Sequence, residues 1–570
     1  MSASAASITT AGIRPELFPE QLVRTKSRAL LVSTLALVIV LGFGLRAFQL
    51  SAEGLSEDEL NKVRAVEDYR RRGLSSANGE HPLLMKGLLI VSLALAEGWN
   101  ATSLARTHDS LQVPVETAVR LPAAIFGALT SLLIFLVAAE LFGPSVGLVA
   151  AALWAFDPAA IGFNRIAKED SFLLFFFLLA NIFWLRGQRV AEEGRRSPDR
   201  YYWGAAAGFG AMLASKYMPH LFGISVSYYW IFQGVKAARW RLGKRRWLIF
   251  FVVMGAAFLA CNPTILLPDT WREMRIFAGE HRIGHDSYEF MGQLYRNQMT
   301  LWLKGSPWYF YYVFMGVKLP LATLAAFLVG LPVLFTRRLG DGRFFVLFWI
   351  FFWFFPFTVL GGKFTRYFTF ALPVVLITAA IGINAVSQKL SGLFARRDAG
   401  DALRFAARAG VACAVVALAA YASASAAPNF RLYTNALGGG TARAGTYFPH
   451  DEFYDSSMRA TVQAFLPQAR RGARVASETP EVVNFYARSA GRDDLDCISL
   501  SDAAALGAIE AGDVVVVARG RRYFSNEKTV AQLRGASQAA QSVSLGRVPA
   551  AEIFVLDESS AAAVRRAVGQ

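Results

Sequence analysis

"PLLMKGLLIVSLALAEGW", residues 82–99, is apolar enough to suggest a membrane crossing, yet Lys86 and Glu97 interrupt it. Whether it crosses decides the sidedness of every later segment. Apolar runs recur near 29–49, 121–142, 146–161, 171–185, 201–214, 218–233, 247–267, 313–335, 344–360, 367–386 and 405–427. That pattern reads as about eleven spans. Basic segments lie between them: Arg24, Lys26 and Arg28 near the start, then 186–200, 236–246, 336–343 and 389–404. Basic connections stay on the cytoplasmic side. If 82–99 does not cross, all five basic segments share that side; if it crosses, the last four turn outward. Its uninterrupted apolar stretch, about a dozen residues, is also short for a span. Residues 82–99 therefore read as an interfacial or re-entrant helix.

Composition agrees with this reading. The chain has 570 residues, 54% of them hydrophobic, with 45 Phe, the profile of a polytopic membrane protein rather than a soluble enzyme. The net charge of +17 comes from basic residues clustered between apolar runs. It reads as a topology signal, and no nucleic-acid partner follows from it. Cys261 and Cys413 fall inside apolar runs and Cys497 stands alone, so no disulfide framework is expected. The run at 29–49 exceeds a signal-peptide core and reads as an uncleaved first span.

The expected organisation is a cytoplasmic N-terminus (1–28), a transmembrane domain (29–427) with outer segments at 50–120 and 268–312, and a separate outer domain (428–570). In the last, "RVAS", "LDCISL", "DVVVVARG", "QSVSLG" and "EIFVLD" read as short strands, and "PEVVNFYARSAG" and "NEKTVAQLRGA" as helices between them. That alternation predicts a small α/β domain.

"LSEDEL" (55–60) follows the first span and carries three consecutive acids, Glu57, Asp58 and Glu59. Ser56 with Glu59 forms a capping box, flanked by Leu55 and Leu60, and Leu60, Val63 and Val66 make one apolar stripe. On the residues alone Glu59 reads first as a cap. Asp58 is not needed by the box. A carboxylate at a rigid helix start facing a membrane-side cavity suits a general base.

Further motifs follow in order: "HPLLMK" (81–86), "RLPAAIFG" (120–127), "NRIAKEDSFLLFFFLL" (164–179), "ASKYMPHLF" (214–222), "NP" (262–263) and "GKFTRYFTFALP" (362–373). Over about residues 30–385 this series resembles the GT-C membrane glycosyltransferases. It is most similar to the dolichyl-phosphate-mannose–protein mannosyltransferase superfamily and its bacterial relatives, including lipid A aminoarabinose transferases. Leu83 stands where that family usually has a second Pro. The resemblance implies a polytopic helical fold and inverting transfer of a sugar from a polyprenyl-phosphate carrier. The acceptor would be a hydroxyl of a protein, lipid or glycan on the outer face of a plasma (inner) membrane. It also implies Asp58 as base with Glu59 beside it in a catalytic pair.

Arg165, Lys216 and Arg366 sit at outer span ends, where a lipid phosphate would match their charge, and are the expected donor-phosphate ligands. Lys363 reads as a snorkelling lysine and Arg120 as a span-end anchor. His81, Lys86, Asp170, Tyr217 and His285 are expected at the acceptor or lining the site. His281 and His285 have metal-ligand spacing but no matched third ligand. The sequence calls for no definite cofactor, and a divalent cation stays open. "YFPHDEFYD" (447–455) reads as a turn leading into a helix at about 452–465. The competing class is a secondary transporter of a sugar or lipid-linked substrate. Transporters carry ionisable groups at mid-membrane, whereas Lys318 is among the few charges inside a run here, which favours the enzyme.

Overall fold

A computed structural model describes residues 25–194, 196–235, 242–279, 286–396 and 400–569. Its principal helices begin with α1 (Thr25–Ala47), α2 (Glu57–Arg72), α3 (Leu83–Asn100), α4 (Val115–Phe142), α5 (Pro144–Phe156), α6 (Pro158–Asn164), α7 (Glu169–Glu193) and α8 (Asp199–Ser215). There follow α9 (Phe222–Val235), α10 (Lys244–Cys261), α11 (Phe310–Lys318), α12 (Leu321–Val333), α13 (Gly342–Val359), α14 (Leu372–Arg396) and α15 (Asp401–Ala426). Among the described residues, seven helices are long and apolar enough to cross a membrane, or up to eight if α5 and α6, bent by 62°, form one broken span.

The difference from the expected count has local causes. The run at 313–335 is split into α11 and α12 at Leu319 and Pro320, since proline lacks an N–H and restricts its predecessor. Three further runs form α8, α9 and α10; the first two are short, and the third opens on Lys244, Arg245 and Arg246. By length and composition α3 is among the seven. Close helix contacts rest on small residues: a Cβ at Gly330 of α12 would lie 1.9 Å from the Thr378 carbonyl oxygen of α14, and one at Gly382 2.1 Å from that of Ala326.

After α15 the chain forms α16 (Pro449–Phe453), α17 (Met458–Phe465), α18 (Pro480–Ser489), α19 (Phe524–Ala536) and α20 (Glu558–Ala567). A short hairpin, β1 (Tyr288–Phe290) with β2 (Gln293–Tyr295), precedes α11. The C-terminal sheet contains β3 (Arg474–Ser477), β4 (Asp496–Ser499), β5 (Val514–Ala518), β6 (Gln541–Leu545) and β7 (Val548–Val555) in the order β4-β3-β5-β7-β6. β3 runs parallel to both β4 and β5, and β7 is antiparallel to β5 and β6. Every expected strand is present; α20, started by an Asp557 capping box, was not expected.

This region forms the expected small C-terminal α/β domain, and it packs against the helices through a shared core. One apolar core joins Leu60, Val63 and Val66 of α2, Leu89 of α3 and Val119 of α4 to Val462 and Phe465 of α17 and to Val475, Val514 and Ile553 of the sheet. Arg120 of α4 fixes the polar side of the same junction. Its Nε and Nη2 donate to the two oxygens of Glu59 at 2.9 and 2.7 Å, and its remaining N–H groups donate to the carbonyls of Leu50, Glu53 and Gly54. Both side chains are buried. Removing one partner of such a pair costs about 3–5 kcal/mol, because the other charge is stranded. Arg120→Met should therefore lower the thermal midpoint of detergent-solubilised protein markedly, and adding Glu59→Gln should recover part of the loss. An unchanged midpoint for the single variant would contradict this account.

Candidate active site

The capping box forms as expected: Ser56 Oγ accepts from Glu59 N at 3.3 Å and Glu59 Oε2 from Ser56 N at 3.0 Å. The box leaves Glu57 and Asp58 projecting from the first turn of α2 into a cavity of about 970 Å³. Asp58, with its side chain 35% exposed, faces two groups absent from the expected site. Lys168 Nζ lies 2.8 Å from its Oδ2, and the Tyr454 hydroxyl donates to the same oxygen at 2.5 Å. Its Oδ1 accepts no hydrogen bond from any described residue. Burial opposes the charge on Asp58, but Lys168, Arg366 and Lys62 outweigh it and hold the carboxyl well below the usual range.

Residues 165–170, from the end of α6 into the first turn of α7, distribute charge around this group. Lys168 reaches Asp58, Glu169 Oε1 lies 3.1 Å from Lys62 and 3.8 Å from His81 Nδ1, and Asp170 Oδ1 lies 2.6 Å from Lys216. Lys216, just past the end of α8, also sits 4.4 Å from the Tyr367 ring centre. Arg366 stacks on Phe364 at 4.2 Å and lies 5.8 Å from the Tyr454 ring. Its charge is strengthened, since Tyr454, Asp58 and Asp451 together overcome the effect of burial. Tyr217 accepts from Asn262 at 3.0 Å, which places the "NP" motif beside the site.

The structure thus gathers Asp58, His81, Lys216, Tyr217 and Arg366 around one cavity. Other expected residues stand elsewhere. Glu59 does not line the cavity: Ser56, Arg120 and the Ala167 N–H occupy both its oxygens, so it positions α2. Arg165 is turned to the end of α1, donating to the carbonyls of Arg46, Phe48 and Gln49, and is not among the residues lining the cavity. Lys86 is buried against the carbonyls of Ala77, Asn78 and His81. Asp170 sits behind Lys216 rather than in the wall. Lys363 does not snorkel; its ammonium meets the carbonyls of Ser306 and Leu360. His281 and His285 lie outside the described residues. Among the described residues, no group of three His, Cys, Asp or Glu is placed to hold a metal ion.

"YFPHDEFYD" is more than a turn. Tyr454 and Asp455 both take the left-handed conformation, with φ of 46° and 59°, rare for such residues and typical of functional sites. Tyr454 bonds Asp58, Asp451 accepts from Tyr288 and the Thr365 N–H, and Glu452 pairs with Lys318. Lys168 had a signal in the sequence: three consecutive charges opening an apolar helix. Tyr454 had none, since nearly four hundred residues separate it from Asp58.

Burial drives the His81 pKa down, and Lys62 and Lys168 add to that against Glu169, leaving it at about 3. Unfolded histidine titrates near 6.5, so below that pH the unfolded chain binds the additional proton. The contribution of His81 to stability is complete above about pH 6.5 and declines as the pH falls toward 3. Thermal midpoints measured across that window should fall less steeply for His81→Gln than for wild type; parallel curves would show that His81 is not held neutral.

Residues 108–267 match the family model described as dolichyl-phosphate-mannose-protein mannosyltransferase. No curated protein matches the chain. Among solved structures, ArnT from Cupriavidus metallidurans in the apo state is similar at 14% identity and a TM-score of 0.49, covering 96% of this chain and 100% of that one. The same enzyme bound to undecaprenyl phosphate gives 15% and 0.48, covering 93% and 98%. The apo Archaeoglobus fulgidus oligosaccharyltransferase gives 12% and 0.49, covering 86% and 70%. At such identities and scores these likenesses carry no functional argument. The family match over residues 108–267, with the ordered motifs around it, makes this part of the chain similar to the dolichyl-phosphate-mannose-protein mannosyltransferases.

Proposed function

We propose that this protein transfers a sugar from a polyprenyl-phosphate carrier to an acceptor hydroxyl of a protein, lipid or glycan at the extracytoplasmic face, with Asp58 as general base and inversion at the anomeric carbon. One observation carries the reading: Asp58, whose Oδ2 is held by Lys168 and Tyr454, lines a cavity that Lys216 and Arg366 also line.

Asp58 orients the acceptor O–H by accepting its hydrogen bond. As the acceptor oxygen attacks the anomeric carbon, the sugar–phosphate bond breaks and the proton passes to Asp58. A carboxyl held this acidic stays ionised, and it accepts the proton late, once bond formation has made the hydroxyl acidic. Lys216 and Arg366 stabilise the charge on the departing lipid phosphate. A single displacement inverts the centre. Lys318 gives no support to a transporter, because Glu452 and the carbonyls of Arg431 and Tyr433 neutralise it.

The helix directions support the sidedness. α7 starts at the cavity and ends beside the basic segment 186–200, while α8 starts there and returns to Lys216. Basic connections mark the cytoplasmic side, so the cavity belongs to the opposite face. The expected domain bounds, with 1–28 inside, 29–427 in the membrane and 428–570 outside, follow from the same rule.

Membranes containing the protein and radiolabelled polyprenyl-phosphate sugars test the reading. Asp58→Asn should lower transfer by about 10²- to 10⁴-fold, and Lys216→Ala and Arg366→Ala should raise the donor KM. Lys168→Met removes the largest influence lowering the Asp58 pKa, so the acid limb of the kcat/KM profile should move to higher pH. Wild-type turnover by Asp58→Asn would sink the mechanism. A tag placed after residue 427 should be cut by protease added to intact spheroplasts.

A further inference from the structure

We infer that Arg521, in the C-terminal α/β region, is a positioning residue for the transfer proposed above: through Asp455 and Glu57 it fixes the first turn of α2 and hence Asp58. The inference rests on that reading of Asp58.

The segment that delivers Asp58 is held almost residue by residue by chain beyond residue 427. Glu53 pairs with Arg431 at 2.6 Å, and Gly54 N donates to the Ser456 carbonyl at 2.9 Å. Leu55 N donates to the Tyr486 hydroxyl at 2.6 Å, and Glu57 N to Asp455 Oδ2 at 3.1 Å. Tyr454 closes the series on Asp58 itself. Arg521 is the charged centre of this clasp. Its Nε donates to Asp455 Oδ1 at 2.7 Å, Nη2 pairs with Oδ2 of the same carboxylate, and Nη1 lies 3.2 Å from Glu57 Oε2. Such a planar fork fixes direction as well as charge.

The sheet brings Arg521 there. It follows the central strand β5 by three residues, on the loop leading to α19. Gly520, at φ 85°, lets that loop pass over α16: a Cβ at this position would lie 2.5 Å from the Pro449 carbonyl oxygen. Asp455 needs an external hold, because it and Tyr454 sit in the left-handed region. With Arg521 removed, the turn at 454–455 loses its anchor and the Tyr454 hydroxyl its placement against Asp58. Arg521 is itself part of the cavity wall, but Lys216, Tyr217 and Arg366, the groups proposed to face the donor, come from the transmembrane helices and their ends and stay when it is removed. A defect in aim rather than in donor binding follows.

The test uses full-length protein and the polyprenyl-phosphate sugar turned over by wild type in the assay above. Arg521→Ala should lower kcat by about 10- to 100-fold while the donor KM changes less than about twofold. Arg521→Lys, which keeps the charge but loses the fork, should recover part of kcat. Arg522→Ala, at the next residue, which pairs with Glu289 and Glu527, should behave as wild type. If Arg521→Ala does not accumulate, Arg521→Lys and Asp455→Asn read the same split between kcat and KM. Wild-type kcat in the Arg521 variants, or a raised donor KM with kcat unchanged, would overturn the inference while Asp58→Asn stayed inactive. Activity surviving in Asp58→Asn would instead remove the proposed function beneath it.

Discussion

The site depends on one guanidinium. Arg120 has five N–H donors, and they meet Glu59 and the carbonyls of Leu50, Glu53 and Gly54. A buried charge is tolerable only when paired and hydrogen-bonded. Satisfying Arg120 therefore forces the chain between α1 and α2 into one course, with Glu59 facing inward. The capping box and the helical turn then leave Asp58 on the opposite side, where the cavity lies. Arg165 repeats the device one layer away by tying the end of α1 to the start of α7. Two arginines at span ends thus act as framework, while Lys168, Lys216 and Arg366 are among the cations in the wall.

The wall is balanced rather than simply basic. Lys168 faces Asp58, Lys62 and His81 face Glu169, and Lys216 faces Asp170. Each lysine ammonium stands beside a carboxylate, which offsets the cost of burying its charge near a membrane, while His81 is neutral. Under the function proposed above, an incoming phosphate would meet cations already held in place, the arrangement that preorganised electrostatics requires. The C-terminal region adds to the same centre, since the core beneath α2 is shared with its sheet and the segment 53–58 is clasped from above.

Much of this was legible in the residues. The α2 cap, its apolar stripe and the five strands follow from local rules with short-range causes. Lys216 and Arg366 drew notice because charged groups at span ends are costly without a partner, and Asp58 because the capping box does not need it; all three line one cavity. Glu59 caps α2, as the residues alone suggest, and only the resemblance placed it in a catalytic pair; Arg165 shows that sequence reveals a charge in need of a partner but not whether that partner is a ligand or a backbone carbonyl. Lys168 lay in plain view within a charged triplet. Tyr454 and Arg521 were not visible, because the first meets Asp58 across 396 positions and the second joins Asp455, 66 positions away, to Glu57 at the far end of the chain.

What the sequence by itself determined is the membrane-helical class, the α/β character of the C-terminal region and the acidic start of α2, because hydropathy, period and capping act over a few residues. Only the tertiary structure decided which charges meet. Pairing is chosen by which helix ends converge, and burial permits only the arrangement in which every ion finds its counterpart.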